Sequence, residues 1–144
     1  MSNEALIHWS GALELGLTIV DEEHKILVQL INELHVINNL PKNELTQKRD
    51  ALLKRSLHGL AEYTQTHFVV EEEFMRVYKY PAADEHRRAH QAFVDRISSL
   101  MESVEDGGLD IPNSLMNFLK NWLSTHILEI DRKLVAFLIS KGVH

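Results

Sequence analysis

The stretch ADEHRRAHQAFVDRISSLM, residues 83–101, repeats its apolar positions every three or four residues. This period is typical of a helix that packs one apolar face on a core. Two histidines fall on the same face as the apolar residues. That face consists of His86, His90, Phe93, Ile97, Leu100 and Met101. The stretch therefore predicts a buried helix that carries imidazole groups into the interior.

Three further segments show the same periodicity, and turn signals separate them. The turn signals are Pro41, Pro81, Gly107-Gly108 and Pro112. The predicted helices cover about residues 21–38, 44–78, 83–104 and 112–140, after an N-terminal arm at 1–20. We expect Asp21 to cap the first helix and Pro112 to open the fourth. Short connections make consecutive helices antiparallel neighbours, so the predicted fold is all-α, a single up-down-up-down four-helix bundle.

The composition limits the classes of protein that the chain can represent. Its 144 residues fit one domain, and they include no cysteine, which removes disulfides, thiolate metal sites and thiol catalysis. The net charge of −6 without a Lys/Arg-rich run argues against nucleic-acid binding. No apolar stretch approaches the ~20 residues of a membrane span, and the N-terminus does not resemble a signal peptide. We therefore expect a cytoplasmic protein that binds neither nucleic acid nor membrane.

Five histidines and two acidic residues lie where the predicted helices would direct them inward. They are His24, His67, Glu71, His86, His90, His126 and Asp131. In HxxxE and HxxxH the two side chains are one helical turn apart on one face. Imidazole together with carboxylate suits iron, and such inward sets on facing helices form the metal sites of four-helix bundles. The pattern predicts a bundle that holds iron and binds a small ligand.

Each pair is a weak signal alone, because helices often carry two histidines at this spacing by chance and a lone core histidine is usually structural. Together they are informative, since burying seven such groups among leucines is costly unless they are paired or bound to metal. Asp131 fits this pattern poorly. It follows His126 by five residues, about 140° around an ideal helix. Either the centre lies between two helices or the fourth helix is locally distorted.

The remaining histidines and the neighbouring acidic residues are interpreted as structural or exposed. The histidines expected not to bind metal are His8, His35, His58 and His144. Glu72 and Glu73 follow Glu71, but successive helical positions point about 100° apart, so only Glu71 is in phase with His67. Glu22 and Glu23 are expected to interact with the dipole of the first helix.

Four motifs resemble those of the bacteriohemerythrins, the stand-alone bacterial branch of the hemerythrin family. WSGALELGLTIVDEEHKIL (9–27) resembles the family's arm and first ligand, and HFVVEE (67–72) resembles its HFxxEE motif. YPAADEHRRAHQAF (80–93) and WLSTHILEID (122–131) resemble YPxxxxHxxxHxxF and WLxxHIxxxD. The resemblance covers about residues 9 to 138, and all seven ligand positions carry the family's residue types.

The resemblance implies a bundle that encloses two irons joined by an oxo or hydroxo bridge. His86, His90 and His126 would hold one iron, whereas His24 and His67 would hold the other and leave a position open for end-on dioxygen. Glu71 and Asp131 would bridge both irons, which also resolves the position of Asp131. The implied pocket wall consists of Leu27, Phe68, Trp122, Leu123 and Ile127.

Four functions remain open at this point. The favoured one is a non-enzymatic, monomeric oxygen binder for carriage, storage or delivery. The second is an oxygen, redox or nitric-oxide sensor, which would need a separate partner because this chain shows no output domain. The third is a diiron oxidase or peroxide-handling enzyme, which would need a substrate channel or a proton donor near the open iron, and the motifs contain no acidic candidate beyond the bridging pair. The fourth is iron repair or storage, and the absence of cysteine weighs against iron–sulfur repair.

Overall fold

The computed structural model describes residues 5–40, 46–105 and 111–144, and within these ranges the chain is all-α. The first three long helices are α1 (Thr18–Asn38), α2 (Thr46–Val77) and α3 (Ala83–Glu105). The fourth rod consists of α4 (Asn113–Thr125), a π-helical turn (His126–Asp131) and α5 (Arg132–Ser140). The predicted four-helix bundle is thereby confirmed. In the described part of the chain, no helix is both long and apolar enough to cross a membrane.

The predicted helix boundaries differ from the observed ones mainly at the first helix. α1 begins at Thr18, three residues before the predicted start, and its N-cap position is Leu17 rather than Asp21. The Asp21 carboxylate instead accepts hydrogen bonds from the backbone N–H groups of Leu15 (2.8 Å) and Gly16 (3.1 Å). Asp21 therefore fixes the turn that leads into the helix. The turn signals at Pro41 and Gly107-Gly108 lie outside the described residues.

Two clusters of buried apolar side chains form the core of the bundle. Along the helices, the predicted ligands lie between these two clusters. On α1, His24 lies between Val20 of one cluster and Leu27 of the other. The same order holds on α2, where Glu71 lies between Phe68 and Met75. It holds again on the fourth rod, where Asp131 lies between Ile127 and Leu134. The fold thus encloses one polar layer between two apolar ones.

Two asparagines of α1 attach other segments to the bundle by their side-chain amides. The Asn32 amide accepts from the Ile7 N–H at 2.8 Å and donates to the Ile7 carbonyl at 2.9 Å. The Asn38 amide makes the same pair of bonds with Ile111, at 2.9 and 2.8 Å. Both isoleucine side chains are buried. α1 therefore anchors the N-terminal arm and the entry to α4 by the same device.

Candidate metal centre

The seven predicted ligand side chains converge in the polar layer, and each residue is at most 2% exposed. They form two groups, and in each group one donor atom from every side chain lies within 4.8 Å of the donor atoms of the others. One group contains Glu71, His86, His90, His126 and Asp131, and the other contains His24, His67, Glu71 and Asp131. Both carboxylates belong to both groups. Among the described residues, the histidines His8, His35, His58 and His144 belong to neither.

The π-helical turn explains how Asp131 reaches the centre. The backbone N–H of Arg132 donates to the carbonyl of Ile127, five residues earlier, instead of four as in an α-helix. This register brings residues five apart onto one face. His126 and Asp131, which open and close the turn, therefore point to the same site. The fourth helix is therefore locally distorted at this turn. Residue spacing alone could not distinguish this distortion from a centre that lies between two helices.

Asp131 presents one carboxylate oxygen to each group. Its Oδ2 lies 2.8 Å from Nε2 of His24. Its Oδ1 lies 2.9 Å from Nε2 of His86 and 3.0 Å from Nε2 of His126. The side chain thus spans the space between the two groups.

Glu71 has a comparable position on α2. Its Oε1 lies 3.1 Å from Nε2 of His90 and 3.4 Å from Nε2 of His67. Its Oε2 faces Nε2 of His24 at 3.8 Å. Two carboxylates therefore lie among five imidazoles, each of which directs its Nε2 atom toward them.

Most of these inward-facing atoms have no hydrogen-bond partner among the described residues, although they are buried. The atoms are Nε2 of His24, His67, His86 and His126, Oε2 of Glu71, and both carboxylate oxygens of Asp131. Their short contacts lack hydrogen-bond geometry. Buried polar atoms normally have partners, so a group of unsatisfied ones indicates a missing ligand. A transition-metal ion would fit, because imidazole and carboxylate donors together suit iron.

Burial and neighbouring charges shift the pKa values of the histidines in the metal-free protein. Burial would lower the pKa of His24, but its contacts with Asp131 and Glu71 outweigh this effect and raise the pKa to about 9. The same causes raise the pKa of His86 to about 9. Burial dominates at His126, whose pKa is lowered. The metal-free centre therefore holds protons on His24 and His86 that a bound cation would replace.

Both carboxylates stay ionised in the interior. Burial alone would raise the pKa of Glu71, but its electrostatic interaction with the His67 ring and its contacts with the other histidines hold it well below its ordinary value. Burial and the charge of Glu71 act to raise the pKa of Asp131, yet the contacts with His126 and His24 lower it. Anionic oxygens are thus available to a cation at neutral pH.

Two carboxylates outside the seven-residue set orient the imidazoles, which corrects the interpretation of Glu23 and Glu72 as residues without a role at the site. The Nδ1–H of His67 donates to Oε1 of Glu23 at 2.7 Å, and that of His90 donates to Oε2 of Glu72 at 2.8 Å. With Nδ1 as the donor, the Nε2 lone pair faces the interior, as a metal ligand requires. A sequence signal did exist, since each of these glutamates directly adjoins a predicted ligand.

The five predicted wall residues belong to the larger apolar cluster beside the centre. Leu27, Phe68, Leu123 and Ile127 are buried, and Trp122 is half-buried. Phe68 stacks on the ring of His90 at 3.7 Å, and Trp122 stacks on that of His126 at 4.4 Å. The two aromatic side chains therefore restrict the rotation of imidazoles in the three-histidine group.

Fold and site together define a four-helix-bundle protein with a buried histidine–carboxylate centre suited to metal ions. A model of the hemerythrin HHE cation binding domain matches residues 15–138. The chain belongs to the hemerythrin family.

Named relatives and solved structures agree with this assignment. A bacteriohemerythrin from Stenotrophomonas maltophilia (strain R551-3) is 30% identical over 128 residues, which cover 89% of this chain and 78% of the relative. A myohemerythrin from Sipunculus nudus is 30% identical over 113 residues, covering 78% and 87% of the two chains. The crystal structure of a wild-type hemerythrin superposes with a TM-score of 0.82 at 23% identity, covering 93% of this chain and 98% of that one. This last similarity concerns the fold alone.

Proposed function

We propose that the chain holds two iron ions in its polar layer and binds dioxygen reversibly there, for carriage, storage or delivery. His86, His90 and His126 would hold one iron, and His24 and His67 the other. Glu71 and Asp131 would be shared. The iron pair, when bound, supplies the electrons that reversible dioxygen binding requires.

The observation that carries this proposal is the sharing of both carboxylates between two groups of unequal size. One group has three histidines and the other has two, while Glu71 and Asp131 belong to each. The two-histidine group therefore offers one donor fewer, which leaves a position for a small ligand. A single-metal site would not require two carboxylates placed between separate sets of imidazoles.

The surroundings favour reversible binding over chemistry on a substrate. Five imidazoles and two carboxylates give a less anionic donor set than carboxylate-rich diiron centres, whose signature is ExxH. We infer that this lower charge favours the ferrous state. The apolar wall limits the entry of water and protons, and control of solvent access by such a shell is general for metal sites.

We further infer that the protein is an oxygen binder rather than an enzyme, and that it is a monomer. In the described ranges, Glu71 and Asp131 are the only acidic side chains within 4 Å of an inward-facing Nε2 atom. Both are proposed metal ligands, which leaves neither free to exchange protons with a substrate.

Repeated oxygenation distinguishes a carrier from a redox protein. The iron-loaded protein is reduced under argon and exposed to air, and the visible charge-transfer absorption is followed through several cycles of oxygenation and removal. Reversible appearance of the band supports oxygen binding. Rapid one-way conversion to the ferric state would instead support sensing or redox chemistry.

Two substitutions at one wall position test the role of the apolar shell. Leu123→Ala and Leu123→Ser both create space in the apolar cluster that contains Leu123, but only the serine adds a hydroxyl group that can hold water. We expect the serine variant to convert to the ferric form faster than the alanine variant. Equal rates in the wild type and both variants would refute the role of the wall.

A further inference from the structure

We propose that Arg132 is a positioning residue that holds the π-helical turn in the register that brings Asp131 into the centre. The inference rests on the proposed role of Asp131 as a shared metal ligand. Arg132 directly follows Asp131, yet its own side chain is exposed. It acts on the centre through the backbone of the turn rather than by contact with a metal.

The first observation is an exchange of hydrogen-bond donors within the turn. In an α-helix, the backbone N–H of Arg132 would donate to the carbonyl of Leu128. Here that N–H donates to Ile127, and the Nε–H of the Arg132 side chain donates to the Leu128 carbonyl at 3.1 Å. The side chain thus supplies the donor that its own backbone no longer provides. Because the contact is a charge-assisted hydrogen bond to a carbonyl that the π register leaves without its α-helical partner, it stabilises the π register relative to the α register.

The second observation is a contact that fixes the guanidinium itself. Nη2 of Arg132 donates to the carbonyl of Ala12 at 2.8 Å, in the 3₁₀ turn of the arm (Gly11–Leu13). The arm is held independently at Ile7 by Asn32. Arg132 therefore connects the Leu128 carbonyl of the turn to the Ala12 carbonyl of the arm.

Arginine suits this position because of its planar shape. A guanidinium presents its N–H donors in a rigid plane, so Nε and Nη2 can reach two carbonyls at once. A lysine ammonium has a single nitrogen at the end of a flexible chain, and it has no donor at the Nε position. Arg132→Lys should therefore preserve the charge but retain only part of the stabilisation of the π register.

Hydrogen exchange in the metal-free protein tests the positioning role without reference to iron. We expect Arg132→Ala to speed exchange of the Asp131 and Arg132-position amides about five- to tenfold, as the loss of charge-assisted hydrogen bonds at an exposed site predicts. Arg132→Lys should give a smaller increase. The matched control is Lys133→Ala, which removes the neighbouring exposed charge and should leave these amides unchanged. Unchanged exchange in Arg132→Ala would overturn the inference.

Loss of Fe²⁺ to a chelator tests the consequence for the centre. Arg132→Ala should lose iron roughly tenfold faster than the wild type, Lys133→Ala should match the wild type, and Asn32→Ala should show at most a small part of the increase. Asn32→Ala loosens the arm at Ile7 but keeps the contact between Arg132 and Leu128. If Asn32→Ala loses iron as fast as Arg132→Ala, docking of the arm controls the turn and the inference is wrong. If the wild type retains no iron, the proposed function fails, whereas the exchange experiment still decides the role of Arg132.

Discussion

Glu23 and Glu72 illustrate how residues that do not face the metal positions act on those that do. Each accepts the Nδ1–H of one histidine, so the imidazole is fixed in the tautomer whose Nε2 can bind a cation. Each bond also joins two helices, since Glu23 on α1 contacts His67 on α2, and Glu72 on α2 contacts His90 on α3. The orientation of these ligands therefore depends on helix packing as well as on local geometry.

Glu23→Gln and Glu72→Gln should each accelerate loss of iron to a chelator by about 10- to 100-fold, because a neutral amide holds the imidazole tautomer less strongly than a carboxylate. Circular dichroism should show unchanged helix content. The adjacent substitutions Glu22→Gln and Glu73→Gln are matched controls, since those carboxylates contact Lys25 and Arg76 on the surface. Equal iron retention in all four variants would show that these contacts do not support the centre.

The sequence predicts some residues of the site but not others. The spacing of four residues identifies His67 with Glu71 and His86 with His90, because this spacing corresponds to one helical turn. Glu23 and Glu72 could not be assigned from spacing alone. Their partners lie on neighbouring helices, so their role depends on how the helices pack rather than on the periodicity of either one.

Helix α1 contributes to the core and also holds other segments of the chain in place by hydrogen bonds. Asn32 and Asn38 bind the backbones of the arm and of the segment before α4. The guanidinium of Arg49 on α2 donates to the Asn38 carbonyl at 2.8 Å. The C-terminal half of α1 thus connects the arm, α2 and the segment before α4.

Asn38→Ala should lower the free energy of unfolding by about 2–3 kcal/mol, because the N–H and carbonyl of Ile111 lose their partner in a partly buried position. Urea denaturation measures this change. Asn39→Ala is the control. Among the described residues, the Asn39 side-chain amide hydrogen-bonds only to nearby His35, and the effect of the substitution should stay below about 1 kcal/mol. Equal effects of the two substitutions would contradict a specific role for the Asn38 contact.

The sequence predicts that the four helices exist, but it does not predict how the first one is capped or where the fourth one departs from α-helical geometry. Turn residues and apolar periodicity indicate all four rods, yet Asp21 was predicted to cap α1 because aspartate is a common N-cap residue. In the structure its carboxylate binds the turn ahead of the helix instead. The π-helical turn leaves only an indirect signal, the spacing of five residues between His126 and Asp131, which is equally compatible with a centre between two helices. The Arg132 side chain contacts the Leu128 carbonyl in this turn and the Ala12 carbonyl in the arm, and contacts of this kind between distant segments cannot be inferred from periodicity.

At the scale of the whole molecule, the bundle confines ionisable groups between two apolar clusters. In the metal-free state, protons on His24 and His86 balance the charges of Glu71 and Asp131. This balance keeps the interior close to neutral, which limits the cost of burying charge. It also makes the stability of the metal-free protein depend on pH.

We expect the melting temperature of the metal-free protein to be highest at about pH 6. His24 and His86 have a pKa of about 9 in the fold, against 6.5 for ordinary histidine. Their stabilising contribution is therefore complete below pH 6.5 and is lost as the pH rises through 9. The contributions of His126, Glu71 and Asp131 are lost as the pH falls, because their pKa values are lowered by folding.

Thermal melts of the metal-free and the iron-loaded protein across this pH range test the predicted pH dependence. Iron replaces the protons on the histidines, so the loaded protein should not lose stability between about pH 7 and 9 in the way that the metal-free protein does. A metal-free melting temperature that rises over this interval would contradict the assigned protonation of His24 and His86.

The central claim is that two groups of side chains share Glu71 and Asp131 to hold a pair of ions. Elemental analysis of protein loaded with Fe²⁺ under anaerobic conditions, combined with quantitative amino-acid analysis, tests this claim most directly. We predict two irons per chain that remain after gel filtration. A chain that retains one iron, or none, would contradict the account.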